Sequence, residues 1–156
     1  MKLYEEVKKR AFEALSHAYA PYSGFCVGAC IAMKDGSFIS GANIENASYG
    51  LTNCAERSAV FAAYSQGYRK EDITAMAVVT KAAKLTTPCG ACRQVLSELL
   101  QPDTPVILSN GNQEKITCMR ELLPFSFGEE DLSQENNHED SGRSPQTDGD
   151  RLSGRT

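Results

Sequence analysis

Residues 88–92 of this chain read PCGAC, and residues 54–57 read CAER. Cys89 and Cys92 are three positions apart at a predicted helix start, so both thiols lie on one helical face and can bind one ion. A helix N-terminus also favours the thiolate over the thiol. Cys54, at a second predicted helix start, supplies a natural third ligand. Three protein ligands leave the fourth position of a zinc ion open for water, which is the catalytic arrangement.

Glu56 and Arg57, which follow Cys54 closely in the sequence, fit this chemistry. Glu56 lies two positions after Cys54 and is a carboxylate held close to the predicted water. Three thiolates on one Zn²⁺ leave a formal charge of about −1, which weakens the power of the metal to acidify water. Two helix N-termini and a nearby cation offset that charge. Arg57 is the nearest cation, and we expect it to donate to the ligand sulfurs.

Other interpretations of these motifs stay open at this point. A CXXC pair is also found in redox disulfides, although those usually occur in a thioredoxin-like context. Glu56 lies three residues after Asn53, a spacing close to a helix capping box. A closed structural zinc site would need a fourth thiol from Cys26, Cys30 or Cys118. Core packing is the simpler interpretation of those three residues, since free cysteine behaves as a small buried hydrophobe.

Hydrophobic periodicity divides residues 1–132 into alternating helices and strands. The order favours one mixed sheet with helices on both faces, and hence an α/β fold. Asp35-Gly36 and Asn110-Gly111 are turn signals between strands. The predicted bounds are helices at 3–18, 55–65, 88–100 and 120–123, and strands at 26–33, 37–44, 73–80, 106–109 and 116–119.

The composition changes after about residue 132. We predict one domain at 1–132 and a disordered polar tail at 133–156, which has almost no apolar residue. A regulatory or partner-binding tail is the alternative. His17 in the first predicted helix and His138 in the tail have no ligand-like neighbours, so we interpret both as incidental.

Bulk properties exclude several classes. A formal net charge of −4 argues against a polyanion-binding protein, so no nucleic-acid partner is expected. No run of 18 apolar residues is present, so no membrane association is predicted. The first ten residues lack an apolar h-region, and we therefore expect no secretory signal and a cytoplasmic location. Six cysteines in such a compartment are more often thiols or metal ligands than disulfides.

The chain resembles cytidine deaminases of the small, all-cysteine type. The matches span nearly all of residues 1–132, and the departures at Cys26, Ala42 and Ser58 touch none of the proposed chemistry. The matching stretches, in family order, are APYS at 20–23, FCVGA at 25–29, NIENASY at 43–49, CAERSA at 54–59, PCGACRQV at 88–95 and ELLP at 121–124 with Phe127.

The resemblance implies a fold and a metal centre. The fold is a three-layer α/β/α sandwich with one mixed central sheet, in agreement with the predicted element order. One zinc ion per chain is held by Cys54, Cys89 and Cys92, and Glu56 is the catalytic proton shuttle.

The resemblance also implies a substrate pocket. Asn43 and Glu45 would hold the ribose hydroxyls, Phe25 would pack against the base, and the Ala55 backbone would bind the carbonyl edge of the base. Phe127 would reach into the pocket of a neighbouring subunit, because similar proteins are homotetramers with shared active sites.

The function implied is zinc-dependent hydrolytic deamination of cytidine and deoxycytidine to uridine and deoxyuridine, a step of pyrimidine salvage. Glu45 can accept hydrogen bonds from a sugar hydroxyl but would repel a phosphate at the same oxygen, which favours a free nucleoside over a polynucleotide. The alternatives are a deaminase of another nucleoside-like substrate of the blasticidin type, a polynucleotide deaminase, and a non-catalytic binding module stapled by zinc.

Overall fold

The computed structural model describes residues 2–133, and its central element is a five-stranded mixed sheet. The sheet order is β2-β1-β3-β4-β5, in which only β3 and β4 are parallel. The strands are β1 (Val27–Met33), β2 (Phe38–Ala42), β3 (Ile73–Thr80), β4 (Val106–Ser109) and β5 (Glu114–Thr117), and the helices are α1 (Lys2–Leu15), α2 (Ala55–Ser65), α3 (Gly90–Leu99) and α4 (Met119–Leu122).

Side chains alternate between the two faces of the sheet, and each face has its own core. In β1, Ala29 and Ile31 point into a core shared with α2, α3 and α4, whereas Cys30 and Ala32 point into a second core shared with α1. Helices therefore cover both faces. The predicted three-layer α/β/α architecture with one mixed sheet is confirmed.

Two glycines in the β1–β2 hairpin allow helices to lie close to the sheet. A Cβ atom at Gly28 would collide with the backbone of α1 at Ala11. On the other face, a Cβ atom at Gly41 would lie 2.5 Å from the Ala59 nitrogen and 2.8 Å from the Ala55 carbonyl oxygen. Because Ala55 is the first residue of α2, Gly41 sets how closely the start of that helix approaches the sheet.

Several predicted bounds agree with the structure. The helix at 55–65 and the strands at 73–80 and 106–109 have the predicted limits. Gly36 and Gly111 have φ angles of 89° and 91°, as the two turn signals require.

Other predicted bounds are wrong for local reasons. The first helix ends at Leu15 rather than at residue 18, because the chain turns so that the Tyr19 N–H can donate to the Asn43 carbonyl at 2.9 Å. The last strand lies at 114–117 rather than 116–119, since Cys118 is already the N-cap of α4. The third helix begins at Gly90 rather than Pro88, with Cys89 as its N-cap.

The described residues from Phe127 onward form a second compact unit. It contains a 3-10 turn at Glu129–Leu132, and the Gly128 N–H donates to Asp131 Oδ2 at 2.8 Å. The predicted polar tail lies outside the described residues apart from Ser133, as does His138. None of the helices in the described part of the chain is both long and apolar enough to cross a membrane.

The close approach of α2 to the sheet at Gly41 generates a stability prediction. Gly41→Ala should lower the free energy of unfolding by about 1–3 kcal/mol, because the new methyl group pushes the start of α2 away from β2. Gly50→Ala is the matched control, since a Cβ atom there meets nothing within 4 Å, and it should change stability by less than about 0.5 kcal/mol. Urea unfolding of both purified variants checks this. Equal stability of the two variants would contradict the packing argument.

Candidate active site

Three cysteine sulfurs meet where α2 and α3 begin. Cys54 is the N-cap of α2, Cys89 is the N-cap of α3, and Cys92 lies in the first turn of α3. All three sulfur atoms lie within 4.8 Å of one another, and the distance from Cys54 Sγ to Cys89 Sγ is 3.9 Å. Tetrahedral zinc with Zn–S bonds of about 2.3 Å requires sulfurs about 3.8 Å apart. The sulfur set therefore fits one zinc ion.

The topology explains why the thiols converge. Strand β3, helix α3 and parallel strand β4 form a βαβ unit, so the loop after β3 leads to the start of α3 at the carboxyl end of the strand. Such ends are the usual ligand sites of α/β sheets. Contact between α2 and α3 on the same face of the sheet brings Cys54 to the same point.

Arg93 braces the loop that carries the second thiol. Its guanidinium donates three hydrogen bonds of 2.8 Å, from Nε to the Pro88 carbonyl, from Nη2 to Thr87 Oγ1 and from Nη1 to the Leu122 carbonyl. The Thr87 hydroxyl accepts from Arg93 and does not cap α3. The Cys92 N–H instead donates to Cys89 Sγ at 3.5 Å.

The electrostatics of the cluster favour the thiolate form of Cys54. The pKa of Cys54 is lowered to about 5, because its sulfur accepts hydrogen bonds from Cys92 and from Arg57, whose Nη2 lies 3.4 Å away. The pKa of Cys92 is raised, since its proton is held in the bond to Cys54 and the side chain is buried. The Nε atom of Arg57 is buried and has no acceptor among residues 2–133. An orphaned donor beside these sulfurs fits a site in which all three are deprotonated, as in a zinc complex.

Glu56 is a buried carboxylate beside the sulfur cluster. Only 5% of the residue is exposed, and its Oε2 lies 3.6 Å from Cys92 Sγ. Burial raises the pKa of Glu56, and negative charge at Cys54 raises it further. The capping-box interpretation is not observed, because the N-cap of α2 is Cys54 and the Asn53 amide donates to Ser58 Oγ at 3.1 Å. The carboxylate is therefore available for a proton at the site.

A cavity of about 230 Å³ opens beside Glu56 and two of the thiols. Ala55 and Cys92 are fully buried and are not among the residues that line this cavity. Phe127 belongs to the second compact unit, so its predicted role stays a prediction. The residues lining the cavity include six predicted ones, Phe25, Asn43, Glu45, Cys54, Glu56 and Cys89, and eight that the sequence analysis gave no role at the site, Ser23, Val27, Thr52, Asn53, Val78, Thr80, Thr86 and Thr87.

Asn43 holds the segment that carries the aromatic wall of the cavity. Its Oδ1 accepts from the Val27 N–H at 2.8 Å, and its Nδ2 donates to the Phe25 carbonyl at 2.7 Å. The residue is 8% exposed. Asn43 therefore uses part of its hydrogen-bonding capacity to fix the backbone of Phe25. Its contact with a sugar stays a prediction.

The other cysteines do not join the cluster. Within the described residues, the metal-competent group contains only the three thiols already named. Cys30 is fully buried in the α1 core, and Cys26 and Cys118 are half-buried. The closed four-thiol site therefore lacks its fourth ligand, and the open catalytic arrangement remains.

A mixed sheet layered between helices, with three thiols and a buried glutamate at one cavity, defines the class of zinc-dependent deaminases. Residues 1–108 match the protein family described as "Cytidine and deoxycytidylate deaminase zinc-binding region". The chain belongs to the cytidine deaminase family. The zinc-binding region and the three-thiol group together fit one zinc ion per chain.

The sequences of individual relatives align with this chain over nearly their whole length. A protein from Halalkalibacterium halodurans named cytidine deaminase is 57% identical over 127 residues, which cover 80% of this chain and 94% of the relative. A cytidine deaminase from Sporosarcina psychrophila is 47% identical over 134 residues, covering 85% of this chain and 93% of the relative. The crystal structure of cytidine deaminase from Burkholderia pseudomallei superposes with a TM-score of 0.76 at 46% identity, covering 79% of this chain and 98% of the other.

The hydrogen bond from Arg57 to Cys54 generates a prediction about the metal. Arg57→Ala should weaken zinc affinity about 10–100-fold, because the variant loses the cation that stabilises the thiolates. Competition with a chromogenic chelator measures the change. Arg120→Ala is the matched control, since Arg120 pairs with Asp103 on the surface at 2.8 Å and should leave zinc affinity unchanged. Equal affinity of the two variants would show that Arg57 does not support the site.

Proposed function

We propose that this chain hydrolyses cytidine and deoxycytidine to uridine and deoxyuridine, releasing ammonia, with one zinc ion per chain. The observation that carries the proposal is the buried carboxylate of Glu56 beside three convergent thiols, at the wall of one cavity. A zinc module without catalysis has no use for this carboxylate, whose burial costs free energy.

Zinc held by Cys54, Cys89 and Cys92 would leave one position for water and lower the pKa of that water. Glu56 would take a proton from the water and deliver it to N3 of the base, which makes C4 electrophilic. The water oxygen bonds to C4. Glu56 would then carry the remaining hydroxyl proton to the amino group. The bond between C4 and the amino nitrogen breaks, and ammonia leaves. Two protons and one oxygen are thereby accounted for.

A free nucleoside is the substrate that the charges favour. The pKa of Glu45 is lowered by its hydrogen bond from the Ser23 hydroxyl, so the carboxylate is ionised at neutral pH. An anion at the cavity rim accepts bonds from sugar hydroxyls and repels phosphate. We therefore propose that the chain uses no nucleic-acid partner. The lack of a membrane partner and a cytoplasmic location stay separate proposals, which the charge of Glu45 does not address.

The proton-transfer role of Glu56 can be tested directly. Glu56→Ala should lower kcat for cytidine about 10³-fold or more while zinc content stays near one ion per chain. The fall in cytidine ultraviolet absorbance and the metal content are measured on the same preparation. Glu98→Ala removes an exposed helical carboxylate, near the end of α3, and should leave kcat unchanged. Near-normal turnover by Glu56→Ala would refute the mechanism.

We also propose a homotetramer in which Phe127 enters the pocket of a neighbouring subunit, with a deaminase domain at 1–132 and a polar tail at 133–156. Large apolar side chains exposed near the cavity rim support an interface there. They include Tyr22, Phe25, Tyr49 and Leu51, which are between 43% and 75% exposed.

Mixing two defective variants tests the shared site. Phe127→Ala should lower kcat/KM about 10-fold or more through loss of an apolar contact, and Glu56→Ala should be inactive. Coexpression of the two variants should form mixed tetramers with higher kcat/KM than Phe127→Ala alone, because an intact Phe127 then enters sites with an intact Glu56. Sedimentation gives the oligomeric state. A monomer, or no gain on mixing, would refute the shared site.

A further inference from the structure

Ser23 lies at the cavity rim, and its hydroxyl connects two predicted substrate-binding residues. The hydroxyl oxygen accepts from the Phe25 N–H at 3.0 Å, and the hydroxyl proton is donated to Oε2 of Glu45. The direction of this pair of bonds is fixed, because a backbone N–H only donates and an ionised carboxylate only accepts. One small side chain thus links the aromatic wall of the cavity to its carboxylate.

The carboxylate of Glu45 is largely used by the protein itself. Its Oε1 accepts the N–H groups of Tyr22 and Ser23, each at 3.0 Å, and its Oε2 accepts the Ser23 hydroxyl. A carboxylate has about four lone-pair sites. One acceptor site therefore remains, and it lies on the oxygen that Ser23 holds. One hydroxyl of a substrate can therefore donate a hydrogen bond to Oε2 of Glu45. The bond from Ser23 determines the direction from which that hydroxyl must approach.

The backbone of Phe25 is held from both sides in the same way. Its N–H donates to Ser23 Oγ, and its carbonyl accepts from Asn43 Nδ2 at 2.7 Å. The ring lines the cavity and is 43% exposed. These two bonds fix the backbone segment that carries the ring. Removing the Ser23 hydroxyl would release Phe25 and Oε2 of Glu45 together.

We propose that Ser23 is a positioning residue that directs the one remaining acceptor site of Glu45 toward a single sugar hydroxyl of the substrate. The inference rests on the proposed nucleoside deaminase function. Cytidine and deoxycytidine, the two proposed substrates, share only the 3′-hydroxyl on the sugar ring. We therefore assign the bond that Ser23 directs to the 3′-hydroxyl. Ser23, the last residue of the APYS stretch at 20–23, is thereby added to the residues of the predicted site.

The test compares deoxycytidine with 2′,3′-dideoxycytidine, which differ only in the 3′-hydroxyl. Ser23→Ala should lower the ratio of their kcat/KM values at least about fivefold relative to the unmodified chain, mainly through KM for deoxycytidine. Displacement of Phe25 affects both substrates alike and cancels in the ratio. Ser23→Thr keeps the hydroxyl and should restore most of the ratio. Ser48→Ala removes a hydroxyl that makes no capping bond to its own turn and should leave the ratio unchanged.

A double-variant cycle sharpens the test. If Ser23 acts through Glu45, Glu45→Gln should lower the same ratio, and adding Ser23→Ala to it should lower the ratio no further. Thermal unfolding of each variant shows whether folding is intact, and Ser23→Cys, which has nearly the same volume, replaces Ser23→Ala if that variant is unstable.

The outcomes separate this inference from the proposed function. No turnover of deoxycytidine by the unmodified chain would overturn both. Turnover by the unmodified chain with an unchanged ratio in Ser23→Ala, or with additive effects of Ser23→Ala and Glu45→Gln, would overturn the role of Ser23 and leave the deaminase function standing.

Discussion

The site depends on two helices that begin at the same point. Each helix N-terminus carries a partial positive charge and unpaired N–H groups, which stabilise thiolates that would otherwise repel one another. The close approach allowed at Gly41 brings one of these ends down onto the sheet. The three bonds of Arg93 fix the loop before the other. Arg57 supplies the cation that the sulfur cluster itself lacks. The fold therefore holds three thiolates close together and supplies the positive charge that stabilises them.

Local sequence signals predicted the parts of this arrangement that local forces determine. Helix α2 has the limits that its periodicity indicated, and the thiols stand at helix starts because their spacing and neighbours favour that. The sandwich followed from the order of the elements. The convergence of Cys54 with the CXXC pair was a hypothesis from chemistry, since 35 residues separate Cys54 from Cys89. No periodicity could have indicated that contact.

Other features needed the tertiary structure. Arg93 bonds to Leu122, which is distant in sequence, and Ser23 bonds to Glu45 across two loops. A polar residue in a loop has many potential partners, and only the packed chain selects one. The same reason explains the wrong start of α3, which was predicted at Pro88 and lies at Gly90. Cys89 caps this helix, while the Thr87 hydroxyl accepts a hydrogen bond from Arg93.

The cavity has two kinds of wall, and this difference governs how the protein can be redesigned. One wall consists of helix starts and the end of β3, where Thr80 is 2% exposed and a larger side chain would disturb the core. The other is a loop surface that Asn43 and Ser23 hold by hydrogen bonds. An engineer who wants to admit altered sugars can therefore reshape the loop wall residue by residue, while the wall that holds the metal tolerates no comparable freedom.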